Sequence, residues 1–214
     1  MFVNFFTYMV DYKKVSFIIA SALIIAASAQ INFKLGPVPY TMQNFGVMLA
    51  GFLLGKQGFL AVILYLALIA LGLPFAAGGG GLGVLLGPTS GFLYGFVISA
   101  LLAGIFREVI WKKGDRREIV LLWLSTFLAS IPIYLLGFIV FYKFALANEK
   151  LLAWAEKAAE FFGFESTSPA VLLFFSTVLI FIPQDFFVDH LLAVLVFKYV
   201  WEMLRERGVE VDRA

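Results

Sequence analysis

Residues 72–91 read GLPFAAGGGGLGVLLGPTSG. The stretch carries no charge and lies between two long apolar runs. It is full of residues that the interior of a helix or a strand rejects. Gly78, Gly79, Gly80 and Gly81 permit positive φ and bring bare peptide groups to a surface, while Pro74 and Pro88 fix the two ends. Irregular, apolar backbone between membrane segments is tolerated only where protein buries it or where it lines a cavity. The stretch therefore reads either as a lid or floor for a small ligand or as a plain hairpin between two helices.

Composition sets the environment. The chain has 214 residues, 62% of them hydrophobic and 14% charged. Soluble domains average about 45–50% apolar and about 25% charged. Repeated apolar runs holding 25 phenylalanines do not suit a soluble core. The expected fold class is all-α: a polytopic membrane protein forming a single integral membrane domain over 1–214. Six transmembrane helices are expected at about 15–31, 43–54, 59–73, 91–111, 119–141 and 169–200. The second and third are short for a hydrocarbon core of about 30 Å. Residues 1–12 read as an aromatic interfacial segment, and the first apolar run as a retained helix rather than a cleaved leader.

With no cysteine and one histidine, neither a disulfide framework nor a thiolate or multi-histidine metal site is expected. No phosphate-binding Gly-x-x-x-x-Gly-Lys-[Ser/Thr] stretch occurs, so any ATP must be hydrolysed by another chain.

Between the first two spans, Gly36-Pro37-Val38-Pro39 makes a stiff connection that ends on Tyr40 and Thr41. Gln43 and Asn44 open the second span. They read as helix caps or as paired donors and acceptors for a polar ligand group. Ala22, Ala26 and Ala29 share one face of the first helix. Small residues let helices approach closely in lipid, so this face packs against the same chain or docks another membrane protein. Pro132 predicts a kink in the fifth span.

Residues 148–164 differ from the rest. Glu149, Lys150, Glu156, Lys157 and Glu160 alternate with an apolar stripe of Leu151, Ala155, Ala158 and Phe162. Asn148 is a good cap and Gly163 a good stop. This is an extra amphipathic helix between spans five and six, suited to a membrane surface. Of the 16 cations, only Lys34, Lys143, Lys150 and Lys157 fall outside if the N-terminus is cytoplasmic. That asymmetry predicts cytoplasmic termini in a multi-pass cell-membrane protein. It places the Gly/Pro-rich loop cap and the amphipathic helix outside.

The last span contains Pro183, Gln184, Asp185, Asp189 and His190. A carboxylate at membrane depth costs several kcal/mol unless paired or wetted, and marks a functional site by default. The alternative is structural pairing with a neighbouring helix. A proton relay through Asp189 and His190 is disfavoured, because adjacent residues point to different faces.

These motifs carry a resemblance. The stretches 36–44 (GPVPYTMQN), 72–75 (GLPF), 78–83 (GGGGLG) and 87–93 (GPTSGFL) resemble the BioY family, the biotin-specific substrate-binding (S) components of energy-coupling-factor transporters. The resemblance extends over all six spans. It implies a six-helix bundle that takes biotin from outside. The implied partners are a transmembrane coupling (T) subunit and two cytoplasmic ATPases, with no cofactor on this chain. It also implies that Ala22 and Ala26 dock the coupling subunit. In the family pattern, a Pro-Gly-Asp in the last helix is followed three residues later by Lys. Here Gln184 replaces the glycine and Val188 stands at the lysine position, with Lys34 or the backbone of the glycine stretch as substitutes for a contact to the biotin carboxylate.

The expected substrate-binding residues are Tyr40, Thr41, Gln43, Asn44, Phe75, Gly78, Gly79, Gly80, Gly81, Phe92, Gln184 and Asp185. Asp185 would accept from a ureido N–H, Asn44 or Gln43 would donate to the ureido carbonyl, and Tyr40, Phe75 and Phe92 would wall the sulfur ring. The competing readings are an S component for another small vitamin, a stand-alone secondary transporter, and an intramembrane enzyme. A secondary transporter usually shows an internal repeat, which this sequence lacks. An enzyme would need a nucleophile–base set that is also missing.

Overall fold

A computed structural model describes residues 12–33 and 37–208. Residues 1–11 of the expected interfacial segment, Lys34 and Gly36 lie outside the described residues.

Helix α1 spans Tyr12–Gln30. Two short antiparallel strands follow, β1 (Asn32–Phe33) and β2 (Tyr40–Thr41), with Phe33 opposite Tyr40. Then come α2 (Gln43–Leu54), a single tight turn (Gly55–Gln57) and α3 (Gly58–Ala70). The glycine stretch contains one helical turn, α4 (Leu82–Leu85). It leads into α5 (Ser90–Ile110), α6 (Arg116–Leu146), α7 (Glu149–Phe161) and α8 (Pro169–Glu206).

Among the described residues, 5 helical stretches are long and apolar enough to cross a membrane. Six were expected. The difference lies in Gln43–Ala70, a stretch of 28 residues that holds α2, the turn and α3. This stretch is folded back on itself. Gln43 Nε2 donates to Tyr65 Oη at 2.7 Å, whereas a straight helix would hold residues so spaced ~33 Å apart. Gly55 makes the reversal possible with a φ of 58°. The arms then touch: a Cβ on Gly58 would sit 2.5 Å from the Gly51 Cα, so glycine is required at the crossing. Each arm is only ~18–20 Å long.

The tightest packing joins α5 and α6. Gly91, Gly95 and Ser99 recur along one face of α5. A Cβ at Gly95 would meet the Ile133 Cα at 2.5 Å, and Ser99 Oγ donates to the Ala129 carbonyl at 2.6 Å. In lipid, where apolar burial drives little association, close backbone approach through small residues does this work. Helix α6 continues through Pro132 without a break in its helical run.

Ala22 and Ala26 are 1% and 5% exposed and sit in the main apolar core. A Cβ on Gly46 of α2 would approach the Ile25 backbone to 2.8 Å. The docking face expected at Ala22 and Ala26 is therefore corrected: this alanine face is turned inward and packs against the chain's own helices, because small residues on both sides allow it.

In α7, Asn148 caps the first turn by accepting from Lys150 N, and Gly163 ends the helix region with a φ of 69°. Ala155 and Ala159 form the buried seam, and Ser176 Oγ of α8 donates to the Ala155 carbonyl at 2.8 Å. Phe162, expected on the apolar side, is half exposed instead.

Helix α8 is not regular. It widens into π turns at Phe175–Leu179 and Asp185–His190, on either side of Pro183. Proline removes a donor from the ladder, and π turns concentrate at functional sites. Asp185 and Asp189 both lie within the second widened turn and are both buried.

Candidate functional site

Where the Pro-rich connection, the glycine stretch, the N-terminal ends of α2 and α5 and the middles of α6 and α8 converge, they line a cavity of about 350 Å³. Its polar lining comes from Thr41, Gln43, Asn44, Thr89, Tyr134 and Asp185. Pro37, Val38, Ala76, Ala77, Gly78, Val84, Phe92, Phe96 and Phe181 are among its apolar walls. No lysine or arginine lines it among the described residues. Apolar walls with a few convergent polar groups are the usual make-up of a small-molecule site.

Asp185 is 4% exposed and is held from α6, with Tyr134 Oη donating to its Oδ2 at 2.7 Å. Asn44 is hydrogen-bonded to the same carboxyl group. The Asn44 Oδ1 is buried and has no hydrogen-bond partner. A buried acceptor left open costs ~1–3 kcal/mol. A carboxylate and an open amide oxygen side by side are suited to a ligand that presents two N–H donors.

Six of the expected residues line this cavity: Thr41, Gln43, Asn44, Gly78, Phe92 and Asp185. The other six do not, and each has another task. Tyr40 lies behind the wall, stacked between Phe33 (4.8 Å) and Phe181 (4.2 Å), with its Oη donating to the Ile180 carbonyl. Burial raises its phenol above the ordinary value, and the charge of Asp185 adds to the effect. Phe75 offers its carbonyl rather than its ring, accepting from Tyr65 Oη and Gln30 Nε2. Gly79 closes a tight turn on Ala76, Gly80 packs against the Leu73 carbonyl, and Gly81 N donates to Ile69 O at 2.7 Å. These three glycines shape the loop and leave the lining to residues on either side of them, Ala76, Ala77 and Gly78 before and Gly83 and Val84 after. Gln184 ties α8 to the Pro-rich connection, donating from Nε2 to the Thr41 carbonyl (3.3 Å) and to Asp189 Oδ1 (2.9 Å).

Val188 is half exposed and lies off the cavity. The absence of lysine there removes no lining group. Asp189 and His190 are buried at 0% and 1% exposure and also lie off the cavity.

Sequence reasoning missed Tyr134, Phe96, Phe181 and Ile133. Tyr134 alone left a trace: a hydroxyl two residues past a proline, in the middle of an apolar span.

Comparison with known proteins gives a consistent result. The model of the BioY family matches residues 6–206. The biotin transporter BioY of Rhodobacter capsulatus is 38% identical over 196 residues, covering 88% of this chain and 94% of the relative. The probable biotin transporter BioY of Pyrococcus horikoshii is 37% identical over 142 residues, 65% of this chain and 81% of the relative. Among solved structures, the S-component for biotin from an ECF-type ABC transporter superposes with a TM-score of 0.65 at 25% identity, over 91% of this chain and 95% of that one. The chain belongs to the BioY family.

Proposed function

We propose that this chain is the substrate-binding component of an ECF-type importer and captures biotin from outside the cell for ATP-driven uptake. It is not an enzyme. The observation that carries the reading is a buried carboxylate beside an open amide acceptor on the wall of an otherwise apolar cavity. Biotin has a cyclic urea with two N–H donors and one carbonyl, an apolar sulfur ring and an aliphatic acid tail. Asp185 and Asn44 Oδ1 accept from the two N–H groups. Phe92, Phe96 and Phe181 wall the rings. Thr41, Gln43 and Thr89 are the remaining polar groups. The carboxylate tail points toward the glycine stretch, where Gly78 lines the cavity.

Family membership and the matched S-component support the wider arrangement. The hairpin arms α2 and α3 count as two short spans, which makes six over a single membrane domain, 1–214. Both termini lie in the cytoplasm and the glycine stretch forms an outer cap. No cofactor belongs to this chain: a T component and two cytoplasmic ATPases supply coupling and ATP hydrolysis. The docking surface for the T component is not the buried Ala22–Ala26 face.

Radiolabelled biotin added to detergent-purified protein without ATP tests the reading. Stoichiometric, saturable binding is expected. Absence of binding, or chemical turnover of biotin, rejects it.

A further inference from the structure

One layer behind the cavity wall stands a hydroxyl that packing alone does not require. Tyr65 sits in mid-α3 at 0% exposure, with its ring in the main core. A phenylalanine would fill the same space, and a buried hydroxyl costs free energy unless it is bonded. This one is bonded on both sides. Gln43 Nε2 donates to it at 2.7 Å, and it donates to the Phe75 carbonyl at 3.3 Å. At the other end, Thr41 Oγ1 donates to Gln43 Oε1 at 3.2 Å. The hydrogen bonds Thr41 → Gln43 → Tyr65 → Phe75 thus all run in one direction, and aligned chains of this kind strengthen cooperatively.

The two ends of the chain are informative. Thr41 and Gln43 line the cavity, so a ligand touches the first two members. Phe75 is the last residue before Ala76, Ala77 and Gly78, the first residues of the glycine stretch that line the cavity. Its carbonyl also accepts from Gln30 Nε2 at 3.2 Å. The Phe75 carbonyl, at the start of the lining segment, is thus held by two side-chain anchors. Only the Tyr65 anchor connects to the cavity.

We propose that Tyr65 is a positioning residue that ties occupancy of the cavity to the placement of the glycine stretch. A ligand bonded to Thr41 or Gln43 reinforces the chain and holds Phe75, and the loop behind it, over the site. The inference rests on the reading of this cavity as the biotin site.

The chain has no cysteine, so Leu82→Cys gives a unique labelling site for a nitroxide. Leu82 is 61% exposed and does not line the cavity. With Tyr65 intact, biotin is expected to immobilise the label. In Tyr65→Phe that response is lost and biotin dissociates roughly threefold to tenfold faster, the factor set by one net hydrogen bond, while association holds. Gln30→Ala frees the same carbonyl without touching the cavity. It should raise label mobility equally with and without biotin.

Unchanged dissociation and label response in Tyr65→Phe would overturn the relay and leave the site intact. So would equal losses in association, dissociation and thermal stability, the signature of a purely structural tyrosine. Failure of the labelled Tyr65 protein to bind biotin at all would remove the site itself, and the relay with it.

Discussion

Tyr134 fixes one oxygen of Asp185 at 2.7 Å, and Asn44 presents an unbonded Oδ1 beside it. The two contributions separate by substitution. Tyr134→Phe leaves the carboxylate in place but free to turn, and biotin affinity should fall about threefold to tenfold, the value of one hydrogen bond. Asn44→Leu removes an acceptor and buries a mismatch against a ligand N–H, and the expected loss is larger, about tenfold or more. Calorimetric titration of the purified variants checks both, and equal affinities would contradict this division of labour. Asp185 was legible in the sequence because a carboxylate inside an apolar run demands an explanation. Tyr134 was not, because a tyrosine is at home both in a core and at a membrane interface. Gln184 and Tyr40 were assigned to the ligand on chemistry alone. Only the folded chain reveals that the Gln184 Nε2 and the Tyr40 hydroxyl are already used by the Thr41 and Ile180 carbonyls.

At the scale of elements, glycines divide into two kinds that look alike in sequence. A Cβ at Gly95 would lie 2.5 Å from the Ile133 Cα, whereas one at Gly78 would meet nothing within 4 Å. Gly95→Ala should therefore destabilise by ~1–3 kcal/mol, the usual cost of overpacking. Gly78→Ala should stay within ~0.5 kcal/mol. Thermal unfolding in detergent measures both, and equal midpoints would show that the α5–α6 contact is looser than described. The amphipathic α7 could be read from Asn148, Gly163 and its charge pattern, because caps and helical periodicity are local signals. The hairpin of α2 and α3 was read as two short spans, but its closure through Gly51 and Gly58 depends on a partner helix. The π turns of α8 were not legible, since they answer to Pro183 and to packing that no periodicity records.

Over the whole molecule, the positive-inside asymmetry fixes a testable orientation. In the cysteine-free chain, Lys157→Cys on α7 should react with an impermeant maleimide added to intact cells. Lys113→Cys, between α5 and α6, should react only after the membrane is opened. The reverse pattern would turn the protein over and put the cavity on the wrong side for uptake. Family-level features of the whole chain were legible early because the loop motifs survive in sequence order. The inward turn of Ala22 and Ala26 was not, because an alanine stripe is the same whether its neighbour is this chain or another.

The central claim is that the Asp185 carboxylate recognises the urea of biotin. Its most direct test is equilibrium biotin binding to purified Asp185→Asn alongside the unaltered protein, with thermal stability measured in parallel. Loss of a charged hydrogen bond of ~1.5–3 kcal/mol predicts affinity about tenfold or more weaker in a protein that still folds. An unchanged dissociation constant in the folded variant would contradict the account.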